Sequence, residues 1–422
     1  MSHLDASIPL LKADITIVIH EDTDAGSAQR YLLTLGDSYF LISVKARALI
    51  LALLRGPETQ QQLESAFAAE TGSRIPAATL ITLANQVLPA ALFRDTPLPT
   101  RNSPFVVSAT LLAPRFTARM AAYSSWLFKP RFAIPLVIVF VLMHAIVMSP
   151  ANHAVHGNWT IEQACVLAAL FLASGLLHEC GHIAACRHFH CEHGGIGFGL
   201  YYVFPVWYAD VTHAWQLQRR QRAVVDLGGV YFQAIFLIAV DGYALATGSP
   251  VAFKLSWLIM FAMLFTLNPV FKFDGYWLLS DLSGLHNLHQ QVRQSIATAI
   301  ARAMRRQSVP RPTLQTMILH AYLWLSACYF VYIGLFLARE LVASGSALLS
   351  IDSVDWNRAV ELHPGDWRNV AAVTSHLLAT LAWLFIITLA SVFFLNRLRL
   401  GMNAIVSGIR DARALPPRHQ SI

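Results

Sequence analysis

The sequence predicts a polytopic α-helical membrane protein of about six transmembrane helices, preceded by a small N-terminal α+β domain of winged-helix-like pattern. Three observations carry this. Hydrophobic residues make up 55% of the 422 residues and charged residues only 13%, roughly half the charged share of an average soluble protein. Apolar runs of about 18 or more residues recur after residue 131, each long enough to cross a bilayer as a helix. Before residue 98 the pattern changes to short runs, turn dipeptides and capping signals.

Residues 1–97 form the expected soluble domain. Ile15–His20 reads as a strand, and Arg30–Leu35 with Ser38–Ser43 as a hairpin around Gly36-Asp37. Val44–Leu54 is apolar at helical spacing and stops at Gly56-Pro57. Thr59 and Gln62 fit a capping box that opens a second helix towards Gly72. A third helix is expected over Ala77–Phe93. Residues 98–131 read as a linker and basic approach to the membrane, residues 132–396 as the transmembrane domain, and residues 397–422 as a cytoplasmic tail.

The spans are expected at Phe132–Met148, Ile161–Phe189, Ala223–Ala246, Val251–Leu282, Leu314–Ala338 and Val370–Leu395. Lys and Arg test this count. Ser149–Thr160 has none, the next loop carries Arg219, Arg220 and Arg222, and the short one after it has none. The fourth loop carries Arg293, Arg302, Arg305, Arg306 and Arg311, and the tail is again rich in Arg. Basic and non-basic loops alternate, as the positive-inside rule requires of six helices with both termini in the cytoplasm of a bacterial-type inner membrane. His286–Arg306 has the pattern of a basic amphipathic helix on the inner leaflet, with a solvated charged loop as the alternative. The net charge of +7 is scattered over these loops, which favours membrane lipid over nucleic acid as its partner. The five cysteines suggest no disulfide framework, and no cleaved signal peptide is expected.

His178-Glu179-Cys180-Gly181-His182 is an HExxH sequence. On a helix, residues four apart share a face, so two imidazoles converge on one ion and Glu179 stands beside them as a base. Zinc at such a site lowers the pKa of water and polarises a carbonyl. With 17 His in the chain, chance supplies this pentapeptide in roughly 1–2% of comparable sequences. Its place in an apolar span adds weight, because ionisable side chains at membrane depth are costly and mark function.

A catalytic zinc takes three protein ligands and keeps one position open. The strongest source of the third is Leu267–Trp277, where Asn268-Pro269 and Asp274-Gly275 interrupt a long apolar stretch and break the helix. The second and fourth spans run in the same direction, and HExxH and Asp274 both lie near the cytoplasmic end. Asp241 falls towards the outer end of the third span and is rejected as a ligand.

HExxH paired with Asn-Pro…Asp-Gly resembles the site-2 protease family of intramembrane zinc metallopeptidases, and especially its bacterial peptide zinc metalloproteases. The resemblance implies a zinc site of His178, His182 and Asp274, with Glu179 as catalytic base and Asn268 binding substrate backbone or the developing oxyanion. The match extends through Gly195–Gly199, Phe204-Pro205, Tyr208–Val211, Trp215, Arg219-Arg220 and Asp226–Gly229. It departs at Gly229-Val230-Tyr231-Phe232-Gln233, where many relatives have Gly-Pro and an Asn. The N-terminal domain resembles the small peptide chaperone of pyrroloquinoline quinone biosynthesis, on Tyr39–Ser43, the helix after it and Thr59…Leu63. That likeness implies recognition of a leader peptide by strand addition; a regulatory winged-helix domain is the alternative.

Tyr208, Asp210 and Trp215 are candidates for a substrate entrance, with anchoring of the loop at the interface as the alternative. Cys186, His188, His190, Cys191 and His193 raise the question of a second metal site, against a solvated membrane-edge turn. The expected function is hydrolysis of a peptide bond in or near a membrane segment. The substrate is either a precursor peptide, with a peptide exporter as a further partner, or a membrane-anchored signalling protein. A non-catalytic export or immunity component is the reading from outside the enzymes.

Overall fold

The structure, a computed structural model, describes residues 8–20, 30–36, 38–96, 105–149, 160–201, 204–285, 287–304 and 312–349, with short pieces between 381 and 406. Two units divide the chain: residues 1–268 with 273–284, and residues 269–272 with 285–422.

The first unit opens with an antiparallel sheet in the order β1-β2-β3 (Ile15–His20, Arg30–Leu35, Ser38–Ser43). Three helices follow: α1 (Val44–Leu54), α2 (Gln60–Thr71) and α3 (Ala77–Val87). The Ser43 hydroxyl accepts from the Ala46 amide at the start of α1, and Thr59 and Gln62 cap α2 reciprocally. α3 is shorter than the sequence suggested, because Pro89 forces Leu88 into an extended conformation; a 3-10 turn, Ala90–Leu92, replaces its last turn. Leu33, Ile50, Leu63, Leu80 and Leu92 are fully buried in one core.

The stretch before the membrane holds elements the sequence did not announce. β4 (Phe105–Leu112) pairs antiparallel with β5 (Ile196–Tyr201), which pairs in turn with β6 (Phe204–Ala209). α4 (Pro114–Ser124) follows β4, and its Thr117 hydroxyl donates to the Gly194 carbonyl at 2.9 Å.

Among the described residues, four helices are long and apolar enough to cross a membrane: α5 (Pro130–Val147), α6 (Ile161–His188), α7 (Arg219–Thr247) and residues Leu314–Ala343 of α11. Their large apolar side chains face outward in number, Leu142, Leu172, Trp324 and Leu335 among them, as helices bathed in lipid require. The expected span Val251–Leu282 is instead two helices, α8 (Pro250–Thr266) and α9 (Asp274–Ser283). Pro269 supplies no amide, and the chain between the helices does not continue the ladder. The expected span Val370–Leu395 falls largely outside the described residues.

α6 and α7 cross with their backbones in contact. A Cβ on Gly181 would collide with the Gly228 carbonyl, and one on Gly228 with the Gly181 carbonyl. Paired small residues allow such an approach between helices in lipid, where packing replaces the hydrophobic effect.

Asp241, rejected above as a ligand, lies fully buried where α5, α7 and α8 meet. His144 Nδ1 donates to its Oδ2 at 2.9 Å, and the Ser256 hydroxyl donates to its Oδ1. One polar side chain from each helix closes the group, away from the HExxH face. Asp241→Ala leaves both donors without their acceptor. We expect it to cost about 3 kcal/mol of stability, measured by thermal or denaturant unfolding in detergent.

In the second unit, α10 (Leu288–Met304) lies within the stretch read as a basic amphipathic helix, and α11 (Leu314–Leu349) follows it. The Tyr322 hydroxyl donates to the Pro269 carbonyl at 3.2 Å.

Candidate metal centre

α6 begins with a reciprocal cap between Thr160 and Gln163 and runs without interruption to His188. His178 and His182 therefore sit one turn apart on one face. Both are buried. Each donates through Nδ1: His178 to the Gln233 side-chain oxygen at 3.0 Å, and His182 to the Val225 carbonyl at 2.7 Å. Gln233 is itself oriented, since its amide nitrogen donates to the Ser174 hydroxyl at 3.0 Å.

These bonds decide where the lone pairs go. With both Nδ1 atoms donating, the neutral imidazoles carry their lone pairs at Nε2, and the two Nε2 atoms face each other at 3.1 Å. The Asp274 carboxylate joins them, with Oδ2 2.9 Å from His178 Nε2 and 3.4 Å from His182 Nε2. Three electron-rich atoms at that spacing repel one another unless a cation lies between them. A tetrahedral zinc with bonds near 2.0–2.1 Å spaces its ligands about 3.3 Å apart. The donor set and its spacing therefore fit zinc. The Glu179 carboxylate lies within 4.8 Å of the histidine ligand atoms, and the Ala209 backbone amide hydrogen-bonds to it.

Close approach dictates two glycines here. A Cβ on Gly229 would overlap the His178 ring, and one on Gly275 would overlap the Leu267 carbonyl. Gly275 thus lets α9 start hard against the end of α8, with Asp274 as its first residue.

The remaining predicted residues lie as follows. Asn268 follows α8 in the break before Asp274, its backbone amide donating to the Phe265 carbonyl at 3.2 Å. Tyr208, on β6, is paired with Gly197 on β5, where a Cβ would meet its ring. Asp210 folds the turn after β6, accepting from the amide and the hydroxyl of Thr212. Trp215 stands edge-on to Trp277 of α9, with centroids 5.8 Å apart. Among the described residues, Cys186, His188, His190, Cys191 and His193 bring no three ligand atoms together. His188 packs against Phe128 and Phe189 instead, and the Cys191 thiol donates to the Glu192 carbonyl at 3.4 Å. The sequence reading missed Ser174 and Gln233. Ser174 lies four residues before His178, and Gln233 stands out as a polar residue in the apolar run after Gly229.

The arrangement is one that could hold a zinc ion between two histidines and a carboxylate, with a glutamate carboxylate beside the histidines. The chain is 25% identical over 146 residues to the Bacillus subtilis (strain 168) protein named "Putative peptide zinc metalloprotease protein YydH". The matched stretch is 34% of this chain and spans 57% of that relative's length. No family model and no solved structure matches the chain. The likeness points, at that level of detail, to a zinc metalloprotease.

Gln233 sets the His178 tautomer from outside the ligand set. Gln233→Leu is expected to weaken zinc binding by roughly 10–100-fold, read by competition with a chromophoric chelator.

Proposed function

We propose that this protein is an intramembrane zinc metalloendopeptidase that hydrolyses a peptide bond in or next to a membrane segment. The observation that carries this reading is the triangle of His178 Nε2, His182 Nε2 and Asp274 Oδ2, with Glu179 beside it on a helix long and apolar enough to span a membrane. Zinc held there would supply Lewis acidity, acidifying water and polarising the scissile carbonyl. Glu179 takes the proton of the attacking water and returns it to the leaving amine. The Asn268 side-chain amide donates to the oxyanion as it develops.

A helical substrate must unwind first, because its carbonyls are already hydrogen-bonded. β6 offers a template for the unwound segment. It is an edge strand of the β4-β5-β6 sheet, and the Asp210 amide turns inward to the Gly195 carbonyl. The Ala209 amide, one residue away, faces outward to Glu179. An extended peptide added at this edge runs past the base.

The substrate we favour is a precursor peptide gripped by the N-terminal domain, with cleavage of a membrane-anchored signalling protein as the alternative. β3 is an edge strand, and its Tyr39 hydroxyl donates to His213 Nδ1 at 2.8 Å while accepting from Gln216 Nε2 at 3.2 Å. His213 and Gln216 belong to the turn that follows β6, so this edge is tethered to the connection between α6 and α7. In this reading the reaction takes place at the cytoplasmic face of an inner membrane, with both termini cytoplasmic, as the alternation of basic and non-basic loops suggests, with lipid around the helices and a peptide exporter as a natural partner. A purely non-catalytic component would have no use for a base within reach of the ligand triangle.

Glu179→Ala is expected to retain zinc and to lose cleavage of the processed precursor by about 10²–10⁴-fold. Unchanged cleavage by the zinc-loaded variant would sink the protease reading. Tyr39→Phe removes both tethering bonds. It should raise KM severalfold for a full-length precursor and leave cleavage of a peptide lacking the recognised segment unchanged.

A further inference from the structure

We infer that Arg219 and Arg222, at the start of α7, are positioning residues that latch α9 and so hold Asp274 against the two histidines. This rests on reading the triangle as a metal site. α9 has only ten residues and is cut off from α8 by the break, so its own hydrogen bonds fix neither its direction nor its rotation. Yet its first residue supplies a ligand atom that must be placed to a fraction of an ångström.

The far end of α9 shows how this is achieved. Arg222 donates to the Asp281 carboxylate from Nε to both oxygens at 3.0 Å and from Nη2 to Oδ1 at 2.9 Å. Both side chains are buried. The pair is bidentate, so it sets orientation as well as distance. Arg219 Nε donates to the Asp281 carbonyl at 2.8 Å and Nη2 to the Leu282 carbonyl at 3.2 Å. These are among the last carbonyls of α9, which lack helical partners and favour a cation. Trp215 completes the clamp, with the Arg222 guanidinium 5.5 Å from its ring centroid and Trp277 against its edge.

The register explains why a latch at one end governs the other. Asp274 and Asp281 are seven residues apart, two turns, and so lie on one face of α9 about 10 Å from each other. Pinning Asp281 to α7 sets both the rotation and the height at which Asp274 meets α6. α7 serves as the common reference. Arg222 holds α9, the Val225 carbonyl orients His182, Gly229 makes room for His178, and Gln233 orients it. These four positions fall at helical spacing along one stripe of α7.

The test uses the full chain purified in detergent, loaded with zinc or with cobalt as a spectroscopic probe. Arg222→Gln and Asp281→Asn should each weaken metal binding roughly tenfold or more and alter the visible cobalt spectrum, with helical content unchanged. Arg222→Lys, which keeps the charge but not the fork, should recover part of the affinity. Should the buried variants fail to fold, Arg219→Ala removes the carbonyl contacts of a half-exposed side chain, and a smaller change in the same direction is expected. Wild-type affinity and cobalt spectrum in a folded variant, even one of lowered thermal stability, would overturn the latch and leave the metal centre standing. Failure of the wild-type chain to bind zinc or cobalt would overturn both.

Discussion

Backbone contact between α6 and α7 is the constraint on which the rest of the structure depends. Gly181 lies inside HExxH, and Gly228 lies opposite it, each without room for a Cβ. With the helices this close, the Val225 carbonyl reaches His182 and the Gln233 side chain reaches His178. Both imidazoles are then held in the tautomer that bares Nε2. A wider crossing would leave the same two histidines on the same helical face with free rings and no common tautomer. The glycines thus act through distance, and the chemistry at the nitrogens follows from it.

The third ligand needs the opposite device, a helix that stops. A continuous span from α8 would carry Asp274 past the histidines at whatever angle the ladder imposed. The break at Asn268-Pro269 frees α9 to start at a new place, and Gly275 lets it start in contact with Leu267. Freedom of that kind must be taken back elsewhere, and the Arg219 and Arg222 contacts to α9 do so. Non-helical backbone at membrane depth is tolerated where protein surrounds it or it lines a cavity.

Three buried ionisable groups among the described residues join helices: Arg222 with Asp281, His144 with Asp241, and Asp274 with the histidines. The first two groups are closed, each carboxylate occupied by protein donors. The third differs in kind. Its histidines spend their Nδ1–H groups on Gln233 and Val225, and as neutral imidazoles they turn lone pairs towards the carboxylate, an arrangement that suits a cation. This separates a binding site from a structural ion pair when both are buried and both join helices.

The sequence by itself determined the first three strands and the two helices after them, because their signals are local: alternation, turn dipeptides and caps act within a few residues. It also determined that His178 and His182 share a face and that the helix before Asp274 breaks, since periodicity and proline act locally too. The pairing of β4 with β5 was not legible, because Phe105–Leu112 and Ile196–Tyr201 are far apart in the chain and short strands carry little pattern. Nor were Gln233 as partner of His178, Asp241 as partner of His144, or Arg222 as partner of Asp281. Each joins two helices, and one sequence carries no record of which faces meet. Only the tertiary structure decided that α7 is the reference for both halves of the metal centre, because the bonds that make it so run between side chains dozens of residues apart.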